Sequence, residues 1–360
     1  MRLPRRSRIS FICVTISIVV TAGLFLSRTQ VYRDFRAANF DNFDTTRWSW
    51  QLDMPWYPLP RFQSVAIVSA PHNWRGPGHE TFATFYASRD ASMSDPYFLA
   101  AQQMIYRVLW DPKSKSKKYP ITIFVAPFVP AEQRAYFAAA GALVRELPLR
   151  PFVPNQAGAA GRLRDMFSKL EMWRQTEFSK ITYLDSDAFP LVNVDTLFDL
   201  AKEQTCREQY LPAEDKANVS SICKYTMAGY MDYNGVNAGV LVFNPNVPMY
   251  ERLVRESQDQ SKFDNGFMEQ ALLQLAYSTE HDAPFPPTSL DHAYNGGVDT
   301  KDRGDPLYIV HHKLWATDLN PKDSWWYNVF NETWTEMLDF YKSSEFHSLR
   351  LKDGLPSGTP

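Results

Sequence analysis

Two acidic side chains one residue apart, in Asp185-Ser186-Asp187, follow directly on the strand-forming run Ile181-Thr182-Tyr183-Leu184. In an extended segment the side chains at i and i+2 point the same way, so both carboxylates can face one point. Neighbouring carboxylates repel and tend to raise one another's pKa. A divalent cation removes that cost, and oxygen-rich sites of this kind suit Mg²⁺ or Mn²⁺. The spacing predicts a metal site at the carboxyl end of a buried strand, the edge at which open α/β sheets bind ligands. A solvated turn after a strand is the plainer account of the same residues, and an Asp-x-Asp after a strand also opens phosphohydrolases with an aspartyl nucleophile.

The elements that must position such a site read as strands alternating with helices. Ser64–Ser69 is expected as a buried first strand, followed by a loop bearing proline and glycine, then a helix from about Tyr97 to Leu109 opened by Asp95-Pro96. Ile121–Val125 is the next strand, Pro130-Ala131-Glu132 opens an alanine-rich helix, and Leu143–Leu147 returns as a short strand. After the small-residue loop Asn155–Gly161, Arg162–Thr176 places Leu163, Met166, Phe167, Leu170 and Trp173 on one helical face and delivers the chain to Ile181. Helical turns are expected from Val194. The polar stretch Glu203–Lys224 reads as an insertion or surface loop.

Gly235–Pro245 is a second apolar strand with Asn237 at its polar mouth, and helices are expected at Met249–Gln258 and Gly266–Tyr277, the latter carrying Glu269 and Gln270. A short strand, Leu307–Val310, then runs into His311-His312-Lys313-Leu314-Trp315. This alternation implies a single Rossmann-like, mostly parallel sheet flanked by helices.

With 360 residues, 44% of them hydrophobic, the chain can bury a large core. A formal charge of -2 with mixed signs gives no electrostatic footprint for nucleic acid. Lys113–Lys118, the densest basic cluster, is read as a solvated loop. Met1–Arg8 is basic and Ile9–Leu26 is uncharged and long enough to cross a thin bilayer, which reads as a cytosolic tail followed by a transmembrane signal anchor. A cleaved signal peptide is the alternative. Ser27–Pro60 then forms a stem whose aromatics pack on the catalytic domain, 61–345, and 346–360 is a C-terminal tail. Of three cysteines Cys13 lies in the apolar run, leaving Cys206 and Cys223 as the only possible pair. Sequons at Asn218 and Asn331 fit a lumenal domain in the Golgi or endoplasmic reticulum.

In this order, the stretches Ser168–Phe198, Asn237–Pro245, Glu269–Leu273 and Val310–Trp315 resemble glycosyltransferase family 8, the glycogenin-like retaining enzymes of the GT-A fold, as a membrane-anchored member of fungal type. The resemblance implies Mn²⁺ (or Mg²⁺) held by Asp185, Asp187 and His311, with His312 as a competing ligand. It implies a UDP-sugar donor met by Tyr97, Ser186, Asn237 and Lys313, with Lys169, Glu269 and Gln270 in catalytic places. Glu269 stands where the family often has aspartate, and the stretch after the histidines is compressed. The implied acceptor is a glycan, lipid or protein hydroxyl.

Overall fold

The first strand of the sheet among the described residues is β1, His79–Tyr86, in a stretch that reads from sequence as loop. Its polar start hides it. Thr81 and Thr84 are fully buried within it, and the Thr81 hydroxyl is satisfied by Thr122 at 2.9 Å on the neighbouring strand. The computed structural model describes residues 49–62, 70–150, 161–259, 261–316 and 323–354. The expected strand Ser64–Ser69, the anchor Ile9–Leu26 and most of the loop Asn155–Gly161 therefore lie outside the described residues. Among those described, no helix is long and apolar enough to cross a membrane.

Helix α1, Pro96–Leu109, begins where its sequence signals place it. Asp95 caps it by accepting from the Phe98 amide at 3.0 Å, and Pro96 fills the first turn, where no amide donor is needed. Strand β2, Ile121–Val125, is buried at every residue, as a β-branched and aromatic run between two layers should be. Helix α2, Ala131–Ala139, returns the chain to β3, Leu143–Glu146. The amphipathic run before the acidic pair is helical from Gly161 to Arg174 with 3₁₀ rather than α geometry. It leads into β4, Phe178–Leu184, which ends one residue before Asp185.

Beyond the acidic turn lies the short β5, Ala188–Pro190. The polar insertion folds into brief helical turns and a two-strand ladder, closed by a Cys206–Cys223 disulfide. Then come β6, Met227–Asp232, and β7, Gly235–Phe243, joined as a hairpin. Helix α3, Val247–Glu256, and helix α4, Met268–Ala276, follow, then β8, Thr288–Leu290, and β9, Ile309–His311. The chain continues in α5, Trp325–Lys342, and α6, Ser344–Asp353. The stretch expected as a tail from residue 346 thus opens inside a helix that buries Phe346 and Arg350.

The main sheet has seven strands in the order β8-β6-β7-β4-β1-β2-β3. β4, β1, β2 and β3 run parallel, as do β6 and β8, while β7 is antiparallel to both β4 and β6. The expectation of a mostly parallel central sheet with flanking helices holds. A second, two-stranded sheet pairs β5 antiparallel with β9, with Ala188 opposite His311. That small ladder brings a histidine from far along the chain beside the acidic pair. Aromatics before Pro60 pack on this body: Tyr57 meets Phe330 and Trp334 edge-on at 5.5 and 5.2 Å, and the Trp334 indole donates to the Pro58 carbonyl.

Candidate active site

Asp185 and Asp187 sit in a tight turn that begins where β4 leaves the sheet. The Asp185 amide donates to the Gly239 carbonyl at 2.8 Å, which extends the β4–β7 ladder by one residue, and the Ala188 amide donates back to Asp185. The next rung is the His312 amide on the Asp187 carbonyl at 2.9 Å, continuing the β5–β9 ladder. Backbone pairing on both sides thus fixes where the two carboxylates and the His311 imidazole project. Nε2 of His311 lies 3.4 Å from one Asp187 oxygen and 3.9 Å from one Asp185 oxygen. One ligand atom from each of the three residues lies within 4.8 Å of the others.

This set fits a divalent cation on its own chemistry: two carboxylate oxygens and one imidazole nitrogen converge, a mixed shell suited to Mn²⁺. Space for the ring is provided by Gly239, because a Cβ there would stand 2.1 Å from His311 Cε1. Of the two histidines, His311 turns its ring toward the acids, while His312 contributes its backbone to the ladder. The Nδ1 side of His311 is held by Asn295 at 2.8 Å, a residue that sequence reading did not single out. It lies on the segment beside β9, where the His311 amide donates to the Gly296 carbonyl.

Two lysines flank the acids. Lys169, only 6% exposed, donates to Asp185 at 2.9 Å and reaches Glu269 at 2.7 Å, so three of the expected site residues form one chain of charges. Tyr183, the tyrosine of β4, adds a hydroxyl donated to Asp185 at 2.5 Å. Lys313 donates to Asp187 at 2.8 Å. Tyr97, near the start of α1, meets Trp315 edge-on at 5.4 Å and lies close enough to influence the Lys313 ammonium. Ser186 stands partly exposed between the acids.

The electrostatics follow from this crowding. Burial opposes ionisation of Asp187, yet the hydrogen bond it accepts from the His311 ring in its protonated form and the Lys313 ammonium hold its carboxyl well below the usual carboxylate range. Burial alone would lower Lys169, but Asp185 and Glu269 together push it well above the ordinary lysine value. For His311 and Lys313 burial again works downward, and the facing carboxylates win, so both are raised. The site is an array of fixed alternating charge.

Two expected residues are engaged with the protein itself. Gln270 accepts from the Ala238 amide at 3.0 Å, and Gln274, one turn on, donates to the Val236 carbonyl at 3.2 Å, so α4 is fastened along β7 by its glutamines. Asn237 accepts from Gly239 and Asn295 and donates to Asp232. Glu269 is 5% exposed, and Met268 before it adopts a positive φ of 53°. That φ is uncommon for a residue other than glycine and orients the start of α4.

No protein-family model matches the chain. Its sequence is 28% identical over 312 residues to an uncharacterized protein of Schizosaccharomyces pombe, covering 74% of this chain and 81% of that one. It is 30% identical over 161 residues to galactinol synthase 7 of Arabidopsis thaliana, and this match covers 39% of this chain and 47% of the plant protein, so the chain spans about half of that relative's length. Among solved structures it is similar to the glycosyltransferase GlyE of Streptococcus pneumoniae, with a TM-score of 0.46 and 15% identity, covering 79% of this chain and 66% of that one.

Proposed function

We propose that this chain is a metal-dependent retaining glycosyltransferase that uses Mn²⁺ and moves a sugar from a UDP-sugar to an acceptor hydroxyl. The single observation that carries the proposal is the convergence of Asp185, Asp187 and His311, from two distant parts of the sequence, within 4.8 Å of one another. The likeness to galactinol synthases supports the same reading. When bound, the cation supplies Lewis acidity and charge neutralisation at a departing diphosphate.

The remaining work falls to the chain's own groups. Lys313, now on Asp187, is a cation at the edge of the acidic pair and is placed to hold the leaving diphosphate as negative charge grows there. Lys169 bridges Asp185 and Glu269 by bonding both, which fixes each carboxylate in direction. Glu269 then presents a stationary negative charge where positive charge develops on a sugar ring. Gln270 anchors α4 to β7 and so sets the position of Glu269. Tyr97 and Trp315 form an aromatic corner beside Lys313 that suits the uracil base. A lumenal location behind the Ile9–Leu26 anchor, in the Golgi or endoplasmic reticulum, completes the proposal.

The test is a soluble fragment beginning near Arg28, assayed for UDP release with Mn²⁺ against a panel of UDP-sugars and acceptors. Mn²⁺-dependent release with at least one donor is the expected result. Phosphate release from a generic phosphoester, with no UDP-sugar consumed, would instead assign the acids to a phosphohydrolase.

A further inference from the structure

The amide of Asn295 stands between His311 and Asn237, and its orientation can be deduced from one backbone donor. The Gly239 N–H lies 2.9 Å from the Asn237 side chain, and an N–H can only donate, so the Asn237 atom it meets is the carbonyl oxygen Oδ1. That same oxygen lies 2.9 Å from the Asn295 side chain, which must therefore present its Nδ2 donor there. The other end of Asn295, facing His311 Nδ1 at 2.8 Å, is then its oxygen. An oxygen opposite Nδ1 requires that Nδ1 carry the proton. The reversed amide would set two oxygens against each other 2.9 Å apart and move the imidazole proton to Nε2, between the ring and Asp187.

We infer that Asn295 is a positioning residue that fixes the neutral ring of His311 in its Nδ1–H tautomer, so that the neutral imidazole presents a bare Nε2 to the two aspartates. The relay runs Gly239, Asn237, Asn295, His311, and its far end is anchored where Asn237 Nδ2 donates to Asp232 at 3.2 Å, at the β6–β7 turn. Asn295 is 7% exposed, so water does not substitute readily for its carbonyl. The inference deepens the metal reading and rests on it for its purpose, although the tautomer itself can be measured without metal. Partners of this kind around ligating histidines commonly carry about 10–100-fold in metal affinity.

Two measurements on the folded soluble protein test it. In metal-free protein at alkaline pH, where the ring is neutral, nitrogen NMR of the imidazoles, with the His311 signals identified by their loss in His311→Gln, should show Nδ1 protonated and Nε2 bare. Asn295→Ala should shift His311 toward a mixture of tautomers and weaken Mn²⁺ binding, by calorimetry, about 10–100-fold. Asn295→Asp, which keeps an acceptor for Nδ1–H but loses the donor to Asn237, should restore the tautomer and most of the affinity. A wild-type His311 protonated at Nε2, or an Asn295→Ala protein with unchanged tautomer and affinity, would overturn the inference. If wild-type protein binds no Mn²⁺, the metal reading fails and the tautomer measurement alone decides this one.

Discussion

Gly239 and His311 share one volume: a methyl group on Gly239 would stand 2.1 Å from Cε1 and 2.5 Å from Nδ1 of the imidazole. The backbone at Gly239 is ordinary strand, so alanine is excluded by the ring and not by its own conformation. Gly239→Ala should therefore leave the sheet in place while displacing the ring. The expected outcome is a stability loss of about 1–3 kcal/mol from overpacking, with Mn²⁺ affinity falling at least about tenfold. Thermal unfolding and metal titration on the same protein separate the two effects.

Asp187 is held by His311, by Lys313 and through its carbonyl by the His312 amide. Asp187→Ala removes the carboxylate and leaves the backbone rung intact, so the circular dichroism spectrum should be unchanged. UDP-sugar turnover should fall about a thousandfold, equivalent to roughly 4 kcal/mol of transition-state stabilisation. Turnover at the wild-type rate would remove these acids from the chemistry.

Lys169 is buried between Asp185 and Glu269. Removing one member of a buried ionic group leaves uncompensated charge and costs about 3–5 kcal/mol. Lys169→Ala should show a loss of that order in metal-free denaturant unfolding. Added Mn²⁺ should recover part of it in Lys169→Ala by neutralising Asp185, and a loss indifferent to Mn²⁺ would argue that the lysine and the cation act on separate groups.

Asp95 predicts a pH effect remote from the site. Burial pushes its carboxyl up to about 6, against the hydrogen bonds from Tyr86 and Phe98. The folded-state pKa lies above the unfolded value, so the folded form takes up this proton first as the solution is acidified. This group's contribution to stability therefore rises as pH falls through the folded value, by about 1 kcal/mol between about pH 7 and pH 5. Asp95→Asn keeps an N-cap residue of equal rank and should lose that increment. Denaturant unfolding of both proteins at the two pH values checks it.

Much of the sheet was legible because its strands are short apolar runs bounded by clear turn signals, as at Ile121–Val125 and Gly235–Phe243. β1 was not, because buried threonines that satisfy each other across strands look polar in sequence. β6 also escaped notice, since Met227-Ala228-Gly229 has little β-branched character and its pairing comes from the hairpin with β7. In the sequence the sequon at Asn331 says only that it fits a lumenal domain. In the fold, Asn331 accepts from the Tyr57 hydroxyl, and Thr333 is buried against Arg107.

From the order of residues alone came the two acids on one face of a strand end, whereas the lysine before that strand and the histidine after a later one came from the resemblance to glycosyltransferase family 8. Local spacing and residue chemistry suffice for the acids, since both act within a few residues. Which histidine nitrogen faces the acids, that Gly239 makes room for its ring, and that Asn295 stands behind it depend on ladders joining segments far apart in the chain. Backbone pairing between β5 and β9 and between β4 and β7 decided them, because a hydrogen-bond register between distant segments exists only once the sheets are formed.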